Sequence, residues 1–257
     1  MHQPVFAVQS LNEDSIYYLF ALKYEGVPIQ VGLYYSLIDM RLDGGMGDVI
    51  AGFKNIPVNG AEDARCMIHG TRHQNNRDVW IVVRKSYSNQ YAAYLISSAG
   101  ISATPVLSQS YLPISDHPDG EIKISQDGTK LIATATTPSP SSVAISELAD
   151  FNNLTGEVTS LFRFSPSVDT GFAVPASYEF SPDSKLLYLV APYPPYGNMI
   201  YQYDLSFTDS VQFMQSQLLI GSHANGLALQ LGPDGKIYQS VENRDSLNVI
   251  HSPNVLG

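Results

Sequence analysis

The sequence predicts an all-β protein with the β-propeller fold, built from four-stranded antiparallel blades. Three observations carry this prediction: a turn motif recurs three times, runs suited to β-strands flank each copy, and helical periodicity is nearly absent. The 257 residues include 16 Tyr and 10 Phe, and aromatic side chains favour strands over helices. The length of the repeat indicates about five blades in this chain.

The recurring turn motif contains an Asp two residues after a Ser or Gly and lies at residues 125–131, 181–188 and 232–238. Pro presets φ at the first turn position, Asp bonds to the local backbone, and Gly accepts a positive φ. The motif therefore predicts a β-hairpin at each copy. Its aspartates are 56 and 51 residues apart, in or just above the range of roughly 40 to 50 residues per propeller blade.

Two further strands follow each of the first two hairpins, which completes a four-stranded blade each time. These strands are predicted at residues 143–148, 158–164, 199–205 and 217–220. The upstream half lacks the turn motif but keeps the same rhythm of β-rich runs. Its strands are predicted at residues 15–22, 29–42, 64–69, 78–83 and 90–97. Only residues 144–151 have spacing that resembles a helix.

Composition predicts one folded domain over residues 1–257, with 44% hydrophobic and 15% charged residues. The net charge of -10 repels phosphate backbones and anionic lipid surfaces, so nucleic acid is excluded as a partner. No stretch reaches the roughly 18 to 20 apolar residues that a membrane-spanning helix needs, so no membrane insertion is predicted. No sequence motif indicates a cofactor, so none is predicted. The single cysteine, Cys66, is predicted to be a small buried residue.

Several segments resemble the propeller region of large Bacteroidetes surface proteins exported by the type IX, gliding-associated secretion system. The resemblance lies in residues 17–20, 33–40, 42–49, 229–238 and 249–257, together with His73 and residues 76–80. It implies a secreted, surface-attached protein and supplies no catalytic residues. Because that family has a further blade upstream and a sorting domain downstream, the resemblance also implies that this chain is a portion of a larger propeller of about seven blades.

Metal sites are weakly supported by the sequence. His69 and His73 lie four apart in a predicted strand, so their side chains are roughly 13 Å apart, too far to share a metal. The segment 116–119 gathers two Asp and a His, but Pro and Gly make a plain turn the better interpretation. The glycine-rich segment 43–48 precedes no helix and has flanking Asp residues, so it is predicted to be a tight connection rather than a phosphate site.

An enzyme remains the alternative prediction, namely a lactonase- or lyase-like propeller with a divalent metal at its centre. Such an enzyme needs oxygen ligands from several blades, and scattered acidic residues are available for that role. They are Asp78, Asp116, Asp169 and Glu242. No Gly-x-Ser-x-Gly nucleophile elbow is present, and nothing in the pattern selects these four acids.

The leading prediction is a non-catalytic extracellular propeller that binds protein or carbohydrate through its loops. The Pro-rich segment 191–197 presents two tyrosines, which offer flat faces to a sugar or a peptide. Two polar loops accompany it, and the alternative for the tyrosines is packing on a neighbouring blade. The predicted ligand-binding residues are Tyr193, Tyr196, His223, Asn225, Asn243 and Arg244.

Overall fold

The structure is a computed structural model that describes residues 5–25, 30–85, 87–114, 120–137, 143–165, 167–168, 171–172, 177–193, 197–223 and 226–257. Its contacts separate the chain into two compact units. The N-terminal unit comprises residues 2–110 and 151–159, and the C-terminal unit comprises residues 111–150 and 160–257.

Two sheets form in the N-terminal unit, each a meander of antiparallel strands. The first contains β1 (Val5–Gln9), β2 (Ile16–Glu25), β3 (Gln30–Asp39), β4 (Asp48–Val49) and β5 (Ile56–Pro57). The second contains β6 (Ala64–Arg72), β7 (Val79–Lys85), β8 (Gln90–Ser97), β9 (Gly100–Ile101) and β10 (Val106–Gln109). Apolar side chains from both sheets form one core, which includes the fully buried Phe20, Ile68, Ile81 and Tyr94.

Three more meanders follow along the chain. The third sheet contains β11 (Gly120–Ile124), β12 (Lys130–Thr136), β13 (Ala144–Phe151) and β14 (Val158–Phe164). A small pair, β15 (Ser167–Val168) and β16 (Gly171–Phe172), precedes the fourth sheet. The fourth contains β17 (Ser177–Phe180), β18 (Leu186–Tyr193), β19 (Gly197–Asp204) and β20 (Leu218–His223), and the fifth contains β21 (Gly226–Leu231), β22 (Ile237–Val241) and β23 (Leu247–Ile250).

These five antiparallel meanders are propeller blades, so the predicted all-β propeller with about five blades is confirmed. The three repeats of the turn motif join β11 to β12, β17 to β18 and β21 to β22, as predicted. In the first, Ser125 Oγ donates a hydrogen bond to Asp127 Oδ1 at 2.6 Å and accepts one from Lys130 N at 2.9 Å. In the second, Ser181 Oγ makes the same bonds to Asp183 Oδ1 at 2.7 Å and from Leu186 N at 2.9 Å.

The helix content differs from the prediction in two places. Residues 144–151, whose spacing resembles a helix, form strand β13, because each residue from Ala144 to Asp150 pairs with β12. A short helix, α1 (Ser210–Gln215), was not predicted. Asp209 caps it by accepting hydrogen bonds from Val211 N and Gln212 N at 3.0 and 3.1 Å. The described residues contain two helical segments, α1 and the 3-10 turn at Asp43–Gly45. Neither of them is long and apolar enough to span a membrane.

The segment 43–48 is the tight connection that the sequence predicts. A single 3-10 turn covers Asp43–Gly45, and three glycines adopt positive φ within six residues: Gly44 at 64°, Gly45 at 93° and Gly47 at 86°. Side chains larger than hydrogen are disfavoured in this conformation. The glycines therefore serve the turn geometry between β3 and β4.

Phe213 of α1 anchors the helix to the core of the C-terminal unit. Its ring is fully buried and stacks on Tyr203 at a centroid distance of 4.9 Å, with Phe164 at 5.1 Å. We expect Phe213→Ala to lower the free energy of unfolding by about 3 to 5 kcal/mol, because it leaves a cavity among packed rings. Urea denaturation followed by circular dichroism measures this loss.

The matched control for that substitution is Val211→Ala on the same helix, where the side chain is 60% exposed. We expect the control to change stability by less than about 0.5 kcal/mol. Equal losses in the two variants would contradict the anchoring role of Phe213.

Candidate functional site

The innermost strands of the last three blades run side by side in the same direction. Tyr178 N donates to Glu121 Oε2 at 2.8 Å, which joins β11 to β17. Leu229 N donates to Ser177 Oγ and Leu231 N donates to Glu179 Oε2, at 3.1 and 3.0 Å, which joins β17 to β21. All three strands therefore begin at one end of the C-terminal unit and finish at the recurring turns. We call the end where they begin the loop end.

The strands that flank the predicted binding residues also terminate at the loop end. Tyr193 is the last residue of β18 and pairs with Gly197. His223 is the last residue of β20 and pairs with Asn198. β22 finishes at Val241, which is paired with Gly226 at the start of β21. Strand polarity thus brings residues from three separate segments to the same end of one unit.

The six residues predicted to bind a ligand differ in their exposure and in whether the structure describes them. Asn243 and Arg244 are exposed in the turn between β22 and β23, with Asn243 at φ +57°. His223 is partly buried, and its Nδ1 atom is buried without a hydrogen-bond partner among the described residues. Tyr196 and Asn225 lie outside the described residues, as does the side chain of Tyr193. The aromatic contact surface in this loop therefore stays a prediction.

A buried charged cluster that was not predicted lies on the inner strands. Lys123 Nζ of β11 and Glu179 Oε2 of β17 form an ion pair at 3.0 Å, and each side chain is only 3% exposed. Glu179 also accepts hydrogen bonds from the backbone N–H groups of Phe180 and Leu231, both at 3.0 Å. Lys123 reaches Gln230 Oε1 of β21 at 3.4 Å. One ion pair therefore connects three blades.

Glu121 completes this cluster at the loop end. Its carboxylate accepts hydrogen bonds from Tyr178 N at 2.8 Å and Ser177 Oγ at 3.3 Å. Burial raises the pKa of Glu121 from its ordinary 4.5 to about 7, against the opposing effect of the Lys123 ammonium, and the charge of Glu179 adds to the rise. Glu121 therefore exchanges its proton near neutral pH.

The groups considered for a metal are dispersed. His73 Nε2 lies 3.1 Å from Leu154 O, and its ring packs against Trp80. Asp78 accepts a hydrogen bond from Asn75, and Glu242 is exposed in a turn. The segment 116–119 and Asp169 lie outside the described residues. Within the residues that the structure describes, no three His, Cys, Asp or Glu side chains come together in a metal-binding group.

The raised pKa of Glu121 makes stability depend on pH. Between pH 4.5 and 7 the folded protein keeps the Glu121 proton while the unfolded chain has lost it, so the free energy of unfolding falls as pH rises. We expect wild type to lose on the order of 2 kcal/mol over this range relative to Glu121→Gln, which cannot ionise. Urea denaturation at several pH values measures the difference.

Glu242→Gln is the control for this measurement, because Glu242 is an exposed acid of the same unit. Its stability should follow the wild-type pH dependence. If the Glu121→Gln curve also stays parallel to wild type from pH 4.5 to 8, the raised pKa of Glu121 is wrong.

No family model and no curated protein matches this chain, so the similarity is structural. The periplasmic gluconolactonase of Pseudomonas aeruginosa is 15% identical with a TM-score of 0.54, over 92% of this chain and 68% of that one. Sqt1 from Chaetomium thermophilum is 14% identical with a TM-score of 0.52, over 92% and 56%. The Dos1 propeller is 10% identical with a TM-score of 0.50, over 100% and 56%. At these identities the likeness establishes fold alone: the chain is a β-propeller.

Proposed function

We propose that this chain is a binding module that holds a partner at the loop end of its C-terminal unit. The observation that carries the proposal is the convergence there of strand ends from three separate segments. Asn243 and Arg244 are exposed at this end, and loops on a rigid scaffold are where binding residues concentrate. The inner strands supply the rigidity, because buried ionic and backbone contacts join them.

A peptide segment of a protein is the partner class that we favour, with a glycan as the other. Sqt1 has also been crystallised with the N-terminus of the ribosomal protein L10, and that structure is 13% identical to this chain with a TM-score of 0.51. A similar fold therefore accommodates a peptide. The net charge of -10 favours a neutral or basic partner, because a strongly acidic one is repelled.

We also propose that the protein is located outside the cell, at the cell surface. Its support is the resemblance of segments such as residues 17–20 and 33–40 to secreted Bacteroidetes surface proteins. An extracellular module meets peptides and glycans of neighbouring surface components. Binding at the loop end is proposed independently of this location.

The test of binding uses peptide and glycan arrays, followed by calorimetry on each ligand found. We expect Asn243→Gly combined with Arg244→Ala to weaken binding about tenfold or more, because charged hydrogen bonds contribute roughly 1.5 to 3 kcal/mol. Glycine keeps the positive φ of 57° at Asn243, so the backbone of the turn is preserved.

The matched control removes an amide and a cation at the opposite end of the same unit. Gln126→Ala with Lys185→Ala does this, because Gln126 is exposed and the Lys185 side chain is 79% exposed. The control should bind as wild type does. Equal affinity in both double variants, or no ligand on either array, would contradict binding at the loop end.

A lactone hydrolase is the second candidate, and the observation that favours it is Glu121. A carboxyl group with a pKa of about 7 at the loop end suits general acid–base catalysis near neutral pH. The test is hydrolysis of γ- and δ-lactones by the purified protein, with and without added Ca²⁺, Mg²⁺ or Zn²⁺. As a non-catalytic module the protein should give only the background rate under all conditions.

Saturable hydrolysis that falls by a factor of about 100 or more in Glu121→Gln would support the enzyme instead. Such a result would also require a pH–rate profile with a midpoint near 7, which matches the pKa of Glu121. Glu242→Gln again serves as the control, because it removes an exposed acid of the same unit.

A further inference from the structure

A cavity of about 530 Å³ lies within the N-terminal unit, between strand β1 and the turn that joins β6 to β7. Small-molecule sites have volumes of about 300 to 1,000 Å³, so this cavity has the size of a metabolite site. It contains none of the six residues predicted to bind a ligand. Every residue that lines it belongs to the N-terminal unit, far in sequence from the loop end.

Two arginines, Arg72 and Arg77, line this cavity. Both are exposed, and neither forms an ion pair with an acidic side chain in the described part of the chain. In a protein with 24 acidic and 14 basic residues, two such cations at one cavity are unexpected. Their charges are available to an anion, and the guanidinium geometry matches a carboxylate bidentately.

The acid adjacent to Arg77 in sequence has a hydrogen-bond partner within the turn itself. Asp78 follows Arg77, but Asn75 Nδ2 donates a hydrogen bond to Asp78 Oδ2 at 2.9 Å. Asn75 Oδ1 in turn accepts from the backbone N–H groups of Arg77 and Asp78 at 3.0 and 2.9 Å. The turn is thus fixed by its own hydrogen bonds. A fixed turn reduces the entropic cost of holding a ligand.

An aromatic ring forms the apolar part of the cavity. Phe6 of β1 lies directly over Gly70 of β6, where a Cβ atom would come within 2.6 Å of the ring. The Phe6 ring also contacts the His69 ring at a centroid distance of 5.7 Å. Val8 and Val79 also line the cavity. The lining of the cavity therefore combines cationic and apolar side chains.

We infer that this cavity binds a small organic carboxylate, with its charge at Arg72 and Arg77 and its apolar body over Phe6. A monocarboxylate fits better than a phosphate or a polyanion because the protein carries a net charge of -10, and repulsion grows with the charge of the ligand. The volume of about 530 Å³ suits a ligand of this size.

The experiment is titration calorimetry on the full chain with three probes of similar size. They are 4-phenylbutyrate, its neutral analogue 4-phenylbutan-1-ol, and phenyl phosphate. We expect the carboxylate to bind at least tenfold more tightly than the alcohol. The combined substitution Arg72→Gln and Arg77→Gln should remove that advantage, because charge-assisted hydrogen bonds account for it.

The matched control removes two cations elsewhere, with Lys54→Gln and Lys185→Gln, both at exposed positions that belong to neither proposed site. It should bind the carboxylate as wild type does, and a thermal melt checks that each variant is folded. All four substituted side chains are exposed, so we expect folded proteins. No carboxylate binding at millimolar concentration, equal loss in both variants, equal affinity for the alcohol, or binding of phenyl phosphate alone would each overturn the inference.

Discussion

The buried ion pair between Lys123 and Glu179 is the interaction on which the arrangement of the C-terminal unit depends. Taking two charges out of water costs several kcal/mol per ion, so the pair persists only with good geometry and further hydrogen bonds. Here Glu179 receives two backbone N–H groups and Lys123 reaches Gln230. A shift of one inner strand by one residue would leave a charge buried without its partner. The pair therefore fixes the relative positions of β11, β17 and β21, and with them the start of each strand.

The raised pKa of Glu121 follows from the balance of charges in the same cluster. The cluster has two carboxyl groups and one ammonium group, and the ion pair at 3.0 Å commits Lys123 to Glu179. A second buried negative charge would remain without a cation of its own, so burial favours the neutral form of Glu121. Burial thus raises the pKa of Glu121, near the start of β11, to about 7. Glu121 therefore combines a pKa of about 7 with a position near the loop end.

The turn motif made much of the fold predictable, because each copy specifies a hairpin and its flanking strands. The predicted strands 90–97 and 158–164 agree with β8 and β14 at both ends. Helix α1 was missed because six residues are too short to establish a helical period, and its stability comes from Phe213 and the Asp209 cap. The helix-like spacing of 144–151 was overridden by pairing with β12.

The candidate sites were harder to predict, because they depend on contacts between segments distant in sequence. Glu121 and Lys123 alternate with Ile122 and Ile124, a pattern that ordinarily indicates a strand with one solvent-exposed face. Only the neighbouring inner strand makes that face buried, and Glu179 lies 56 residues away. Phe6 and Gly70 likewise come into contact only in the folded protein, because they lie on β1 and β6 of two different sheets. The one signal in the sequence was that a charged residue, Lys123 or Glu179, lies two residues before the turn motif in two of its copies.

The two ends of the C-terminal unit differ in how completely their polar groups are satisfied. At the recurring turns, Ser125 and Ser181 each bond to an Asp and to the backbone. Near these turns, Tyr203 Oη is the one buried side-chain polar atom without a hydrogen-bond partner among the described residues, whereas three such atoms lie towards the loop end: Thr136 Oγ1, His223 Nδ1 and Gln239 Nε2, the last beside Gly226. Buried polar groups are normally hydrogen-bonded, and a functional role is one of the explanations for an exception. The recurring turns therefore stabilise the blades, and the unsatisfied polar atoms at the opposite end are in keeping with the binding that we propose there.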